Sequence, residues 1–166
     1  EILPPKELAH ALGEWFRVAG DLVHESGGTI DKFIGDAVLA YWTSGSEPGR
    51  EVRGAFATGL KLLERSSRRC WCGDVSKPFS IAVALHHGVV TCRNIGFVAQ
   101  RDATIIGDTV NTVFRIESVM KGLGQKLAVS EEVVTFLEPT SLALNALGSH
   151  QLKGKNQPVR LFGMRA

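Results

Sequence analysis

Two apolar runs, Thr29 to Ile34 and Ala37 to Trp42, are separated only by Gly35-Asp36. A two-residue Gly-Asp connection between β-rich runs predicts a tight hairpin, so the chain commits to antiparallel pairing here. Just ahead, Leu8, Leu12, Trp15, Phe16, Ala19, Leu22 and Val23 recur at helical spacing after Pro4-Pro5, and Ser26-Gly27-Gly28 stops that helix. A helix running straight into a hairpin already argues against a doubly wound parallel sheet.

The rest of the chain continues the mixture. Val52, Phe56, Leu60 and Leu63 predict a second helix, ending near the basic run Arg65 to Arg69. Phe79 to His86 and Val89 to Cys92 read as a second hairpin around Gly88, and Ala103 to Ile106 as a strand. Asp108 or Thr109 then caps a third helix marked by Val110, Val113, Phe114 and Met120. Lys126 to Val129 reads as a short strand and Ser130 as the cap of a short helix with Val133, Val134 and Leu137. Leu147 to Leu152 and Pro158 to Met164 close the chain as strands around "KGKNQP". The expected class is α+β, a mostly antiparallel sheet packed with helices. No repeat or linker interrupts residues 1–166, which read as one domain.

Bulk properties exclude some partners. A formal net charge of +2 gives no ground for nucleic-acid binding, and no apolar run approaches a membrane span. The opening segment is polar and Pro-containing, unlike a signal peptide. Three cysteines, two of them in Cys70-Trp71-Cys72, fit neither zinc nor redox spacing and suit a reduced, cytoplasmic chain.

A few polar residues stand out. Asp36 at the hairpin tip is either ordinary turn chemistry or a metal ligand. Asn111 and Arg115 share one helix face and flank its apolar stripe. An amide and a guanidinium so placed can bind developing phosphate charge, or simply form a solvated face. Lys153-Gly154-Lys155 can wrap a polyphosphate or decorate a turn. His86 and His87 point to opposite faces of a strand and so are not joint ligands; His86 is expected to satisfy a hydrogen bond near Gly88. No phosphate-binding Gly-x-x-x-x-Gly-Lys loop is present.

Taken together, "GGTIDKFIGDAVLAYW", "VALHHGVVTCRNIG" and "TIIGDTVNTVFRIES" resemble the three core motifs of class III nucleotidyl cyclases. "LKGKNQPVRLF" resembles that family's C-terminal strand-turn-strand, and "LPPKELAHALGEWF" the helix after its first strand. The resemblance implies a ferredoxin-like-derived cyclase homology domain whose first strand, bearing the first of two metal aspartates, precedes residue 1. It implies two Mg²⁺ ions per site, with Mn²⁺ as a substitute, and makes Asp36 the second metal aspartate. Lys32, four before Asp36, and Thr104, seven before Asn111, then fall at the base-reading positions. This pair is similar to adenylate cyclases of the Lys/Thr branch, some of them bicarbonate-responsive.

The implied reaction is ATP to 3′,5′-cyclic AMP and pyrophosphate. Asn111 and Arg115 take the transition-state roles and Lys153 the terminal phosphates, Lys155 being its second candidate. The family's sites are shared across a homodimer, which puts Asp36 on one protomer and the other residues on its partner. Family members also carry attached regulatory domains. The alternatives are a catalytically incomplete nucleotide-binding or dimerisation module, and a guanylate cyclase, which Lys32 disfavours.

Overall fold

The computed structural model describes residues 4–43, 47–69, 79–97, 100–138 and 144–164. Helix α1 (Pro5–Glu25) leads into strands β1 (Thr29–Ile34) and β2 (Ala37–Tyr41), followed by helix α2 (Pro48–Ser67). Then come β3 (Val83–Leu85), β4 (Thr91–Phe97), β5 (Gln100–Ile106), α3 (Asp108–Gly122), β6 (Leu127–Ser130) and the short α4 (Glu131–Val134). Strands β7 (Asn145–His150) and β8 (Val159–Met164) end the described chain. Among the described residues no helix is long and apolar enough to cross a membrane.

The expected α+β mixture is observed. A four-stranded sheet in the order β3-β6-β8-β7 forms the centre, and β1-β2 and β4-β5 are separate two-stranded ribbons. Among the described residues every pairing is antiparallel except β3 with β6. Strand β6 explains the core. All four of its residues are buried, because both of its faces are covered. Ala128 packs with Ile116 and Met120 of α3 and with Val159 and Leu161 of β8. Leu127 and Val129 pack with Val52 and Phe56 of α2 and with Val133 of α4. A strand covered on two sides reads as an unbroken apolar run, as "LAV" does here.

The β1-β2 hairpin turns at Gly35, whose φ of 62° is a left-handed value that glycine adopts without a Cβ penalty. Its register is not regular. Ile30 faces Ala40 and Lys32 faces Leu39, which leaves Asp31 as the extra residue of a β-bulge. Phe33 stacks on Phe16 of α1 with ring centroids 4.5 Å apart, so the helix and hairpin dock together. The β7-β8 hairpin also forms, around the turn bearing Lys153 and Lys155.

Four expectations are corrected. No hairpin forms around Gly88. Strand β3 instead pairs in parallel with β6 (Val83 with Leu127), and β4 pairs with β5 (Thr91 with Ile106). The Thr109 hydroxyl donates to the carbonyl of Val89 at 2.7 Å, which holds this segment across the start of α3. The buried stripe of α3 is Thr112, Ile116 and Met120; Phe114 is exposed. Thr112 can be buried because its hydroxyl donates to the Asp108 carbonyl one turn back, at 2.8 Å. Finally, α3 is preceded by Gly107, and neither Asp108 nor Thr109 caps it with a side chain. Ser130 precedes α4 without a side-chain cap, its hydroxyl being bonded to His86. Cys70 and Cys72 lie outside the described residues, and Cys92 is a free, exposed thiol.

Candidate active site

The bulge in β1 decides what its polar residues can reach. On a regular strand Asp31 and Lys32 would point to opposite faces. Here both meet Thr104 of β5. The Lys32 ammonium donates to Thr104 Oγ1 at 2.8 Å, and the Thr104 hydroxyl donates to Asp31 Oδ2 at 3.1 Å. Asp31 Oδ2 also pairs with Lys32 Nζ at 3.2 Å, while Asp31 Oδ1 accepts from the Ile105 backbone N–H at 3.0 Å. The Asp31 carboxylate is 0% exposed and the Lys32 side chain 46% exposed. A buried carboxylate thus sits beneath a lysine and a threonine that remain accessible from outside.

A second cluster forms where α3 meets the β7-β8 turn. Asn111 is exposed near the start of α3, and Arg115, one turn on, is half-buried. Arg115 Nη1 is buried without a hydrogen-bond partner among the described residues, and lies 3.9 Å from Asp108 Oδ1. Gly154, at φ 72°, packs directly on that guanidinium; a Cβ built there would stand 3.4 Å from Nη2. On either side of Gly154 the two lysines differ. Lys153 is exposed, whereas Lys155 turns in and donates to Asp108 Oδ2 at 2.5 Å. That hydrogen bond holds the Asp108 carboxyl below its ordinary value against the opposing desolvation, and the charges of Lys155, Arg115 and His86 add to it. A guanidinium with an unmet buried donor, beside an exposed lysine and amide, is chemically a site for phosphate oxygens.

His86 closes the same region from behind. Its side chain is 7% exposed, and Nδ1 lies 2.7 Å from Ser130 Oγ and 3.7 Å from Glu132. The expected hydrogen bond of His86 is therefore made, but across to β6 rather than near Gly88. His87 instead meets the Phe136 ring edge-on at 4.8 Å. Burial lowers the His86 imidazole from its ordinary value; Glu132 opposes this, while Lys155 and His87 add to it.

Asp36 stands apart from both clusters. It is exposed at the hairpin tip. Its influence falls on Lys121 in the last turn of α3, whose ammonium is held above its ordinary value first by Glu117 and further by Asp36. Among the described residues no group of three or more His, Cys, Asp or Glu could hold a metal ion. Asp36 therefore offers one carboxylate and not a complete ligand set. Within one chain the structure joins Lys32 to Thr104 and Arg115 to the Lys153 turn, and leaves Asp36 with neither. Asp31 is the residue that sequence reasoning missed; its only signal was a carboxylate directly beside Lys32 in a short strand.

The sequence matches the family model of the adenylate and guanylate cyclase catalytic domain over residues 1–164. An adenylate cyclase of Anabaena cylindrica is 30% identical over 169 residues, covering 100% of this chain and 34% of that protein. The chain thus spans about a third of that relative's length. Among solved structures, the adenylyl cyclase CyaB from P. aeruginosa superposes with a TM-score of 0.82 at 25% identity, covering 98% of this chain and 84% of that one. The guanylyl cyclase Cya2 superposes with a TM-score of 0.79 at 26% identity, covering 98% and 82%. Cyclase domains of this class use divalent metal ions and nucleotide substrates. With its α+β fold, its two polar clusters and a family match along nearly all of its length, this chain belongs to the adenylate and guanylate cyclase catalytic domain family.

Proposed function

We propose that this chain is an adenylate cyclase catalytic domain, converting ATP to 3′,5′-cyclic AMP and pyrophosphate. The observation that carries the choice of base is the Lys32–Thr104 pair, in hydrogen-bond contact at 2.8 Å and open to solvent through Lys32. An ammonium donates to adenine N1, and a hydroxyl oxygen accepts from the 6-amino group. Guanine presents an N–H and a carbonyl at those two places, which sets donor against donor at Lys32.

In the reaction the ribose 3′-oxygen attacks the α-phosphorus. The new bond is O3′–P, the broken bond is that from the α-phosphorus to the oxygen bridging to the β-phosphate, which departs with the pyrophosphate, and the 3′-hydroxyl proton passes to water. Arg115, whose Nη1 has no hydrogen-bond partner among the described residues, supplies donors to the charge that builds on the α-phosphate. Asn111, one helical turn away, orients the ribose, and the exposed Lys153 takes the terminal phosphates. Asp36 is proposed as a Mg²⁺ ligand. The described residues do not by themselves complete a metal site around it.

That the described residues complete no metal site around Asp36 within one chain supports a site shared between two copies of the chain. The test is turnover of ATP against GTP in Mg²⁺ or Mn²⁺, with binding measured alongside. Preferential cyclisation of ATP is expected. Preference for GTP would overturn the base assignment, and nucleotide binding without turnover would favour a binding module. Bicarbonate as a regulator rests on the Lys/Thr pair alone, and a flat response at fixed pH would remove it.

A further inference from the structure

We propose that Asp31 is a specificity-positioning residue, fixing the direction in which the Thr104 hydroxyl donates so that Thr104 can only accept from a bound base. This rests on the reading of Lys32 and Thr104 as base contacts.

A threonine hydroxyl is by nature ambivalent. It carries one proton and two lone pairs and rotates to suit its partner. Left alone, Thr104 could accept from the 6-amino group of adenine or turn and donate to the 6-carbonyl of guanine, and it would discriminate poorly. Asp31 removes that freedom. An ionised carboxylate is acceptor-only, and Asp31 Oδ2 sits 3.1 Å from Thr104 Oγ1, so the hydroxyl proton points to it. One lone pair of Oγ1 is taken by Lys32 at 2.8 Å. What remains facing outward is a single lone pair.

The same accounting applies to Lys32. Of its three ammonium donors, one goes to Thr104 and one to Asp31. One remains. The cluster therefore presents one donor and one acceptor side by side, which is the complement of the adenine edge and the reverse of the guanine edge. Asp31 itself is fixed by the Ile105 backbone N–H at 3.0 Å, so it cannot swing away. The β-bulge makes the arrangement possible, because without it Asp31 and Lys32 would face opposite ways.

The informative variant is Asp31→Asn. The amide oxygen can keep the Ile105 N–H, but its NH₂ now donates to Thr104 and turns the hydroxyl proton outward. The ratio of kcat/KM for ATP over GTP should fall by about 10- to 100-fold, with GTP gaining as ATP loses. Dissociation constants of 3′-deoxy ATP and 3′-deoxy GTP, which lack the attacking hydroxyl, should shift in the same ratio without any need for turnover. Asp31→Ser serves where the buried amide prevents folding. It frees the hydroxyl to rotate, and a smaller fall in the same ratio is expected. A purely structural role would lower both nucleotides alike. A folded variant that keeps the wild-type ratio, whatever its absolute activity, overturns the assignment to Asp31 and leaves the base reading intact. A wild-type protein that prefers GTP overturns the base reading itself, and this inference with it.

Discussion

Mixing two inactive variants should restore activity if the site is assembled from two protomers. The perturbations are Asp36→Ala and Arg115→Ala, each removing one half of a shared site. The reason to expect a shared site is that the described residues around Asp36 do not complete a metal site within one chain, while Arg115 gathers with Asp108 and the Gly154 turn elsewhere. In a two-fold dimer each site then takes Asp36 from one copy and Arg115 from the other. Equal mixing gives half heterodimers, each with one intact site and one doubly damaged site. Activity should therefore return to about a quarter of wild type at full exchange. If both groups served one protomer's own site, every site in the mixture would carry a lesion, and activity would stay below about one hundredth. The assay is cyclic AMP formation from saturating ATP. Heterodimers are confirmed by co-purification of two differently tagged variants after exchange. Heterodimers without restored activity would refute the reasoning.

Other outcomes follow from the same geometry. Arg115→Ala should lower kcat by roughly 10²–10³ with a smaller change in KM, and an equal loss in ground-state binding would contradict its transition-state role. Gly154→Ala places a side chain at φ 72°, 3.4 Å from Arg115 Nη2. It should cost about 1–2 kcal/mol of stability and lower kcat through the guanidinium; an unchanged urea midpoint would show that the turn relaxes freely. Ile116→Ala empties a fully buried position between α3 and the central sheet, and a loss of about 2–5 kcal/mol in urea unfolding is expected. His86 has its pKa lowered by burial, so the unfolded chain takes up a proton before the folded one does. Its contribution is fully present above the ordinary value of 6.5 and is lost as pH falls through the window below it. His86→Gln should flatten that part of the urea-midpoint profile, and an unchanged slope would exclude His86 as its source.

What could be read from the sequence was mostly local. The β1-β2 hairpin, α1 with its Pro start, and the β7-β8 hairpin all carry their signals within a few residues. Lys32 and Thr104 are picked out only by the resemblance to class III cyclases, and the structure brings them into contact. The errors have particular causes. Gly88 looked like a hairpin turn, but β3 pairs with β6, Val83 meeting Leu127, and a distant parallel pairing leaves no mark beside either strand. Phe114 outranked Thr112 on hydropathy, yet Thr112 satisfies its own hydroxyl and goes inside. Strand alternation places Asp31 on the face opposite Lys32. The bulge that brings them together has no glycine to announce it.

The Asp31–Thr104 contact joins residues 73 apart in the chain. During synthesis at about 5–20 residues per second, Asp31 waits roughly 4–15 seconds before Thr104 exists to meet it. The hairpin can form in microseconds, so for nearly all of that interval it stands without β5, its carboxylate still hydrated. A carboxylate and an ammonium on such a ribbon discourage edge-to-edge association between nascent chains. The charges that would read a base in the finished domain thus also act as gatekeepers for the strand while it waits.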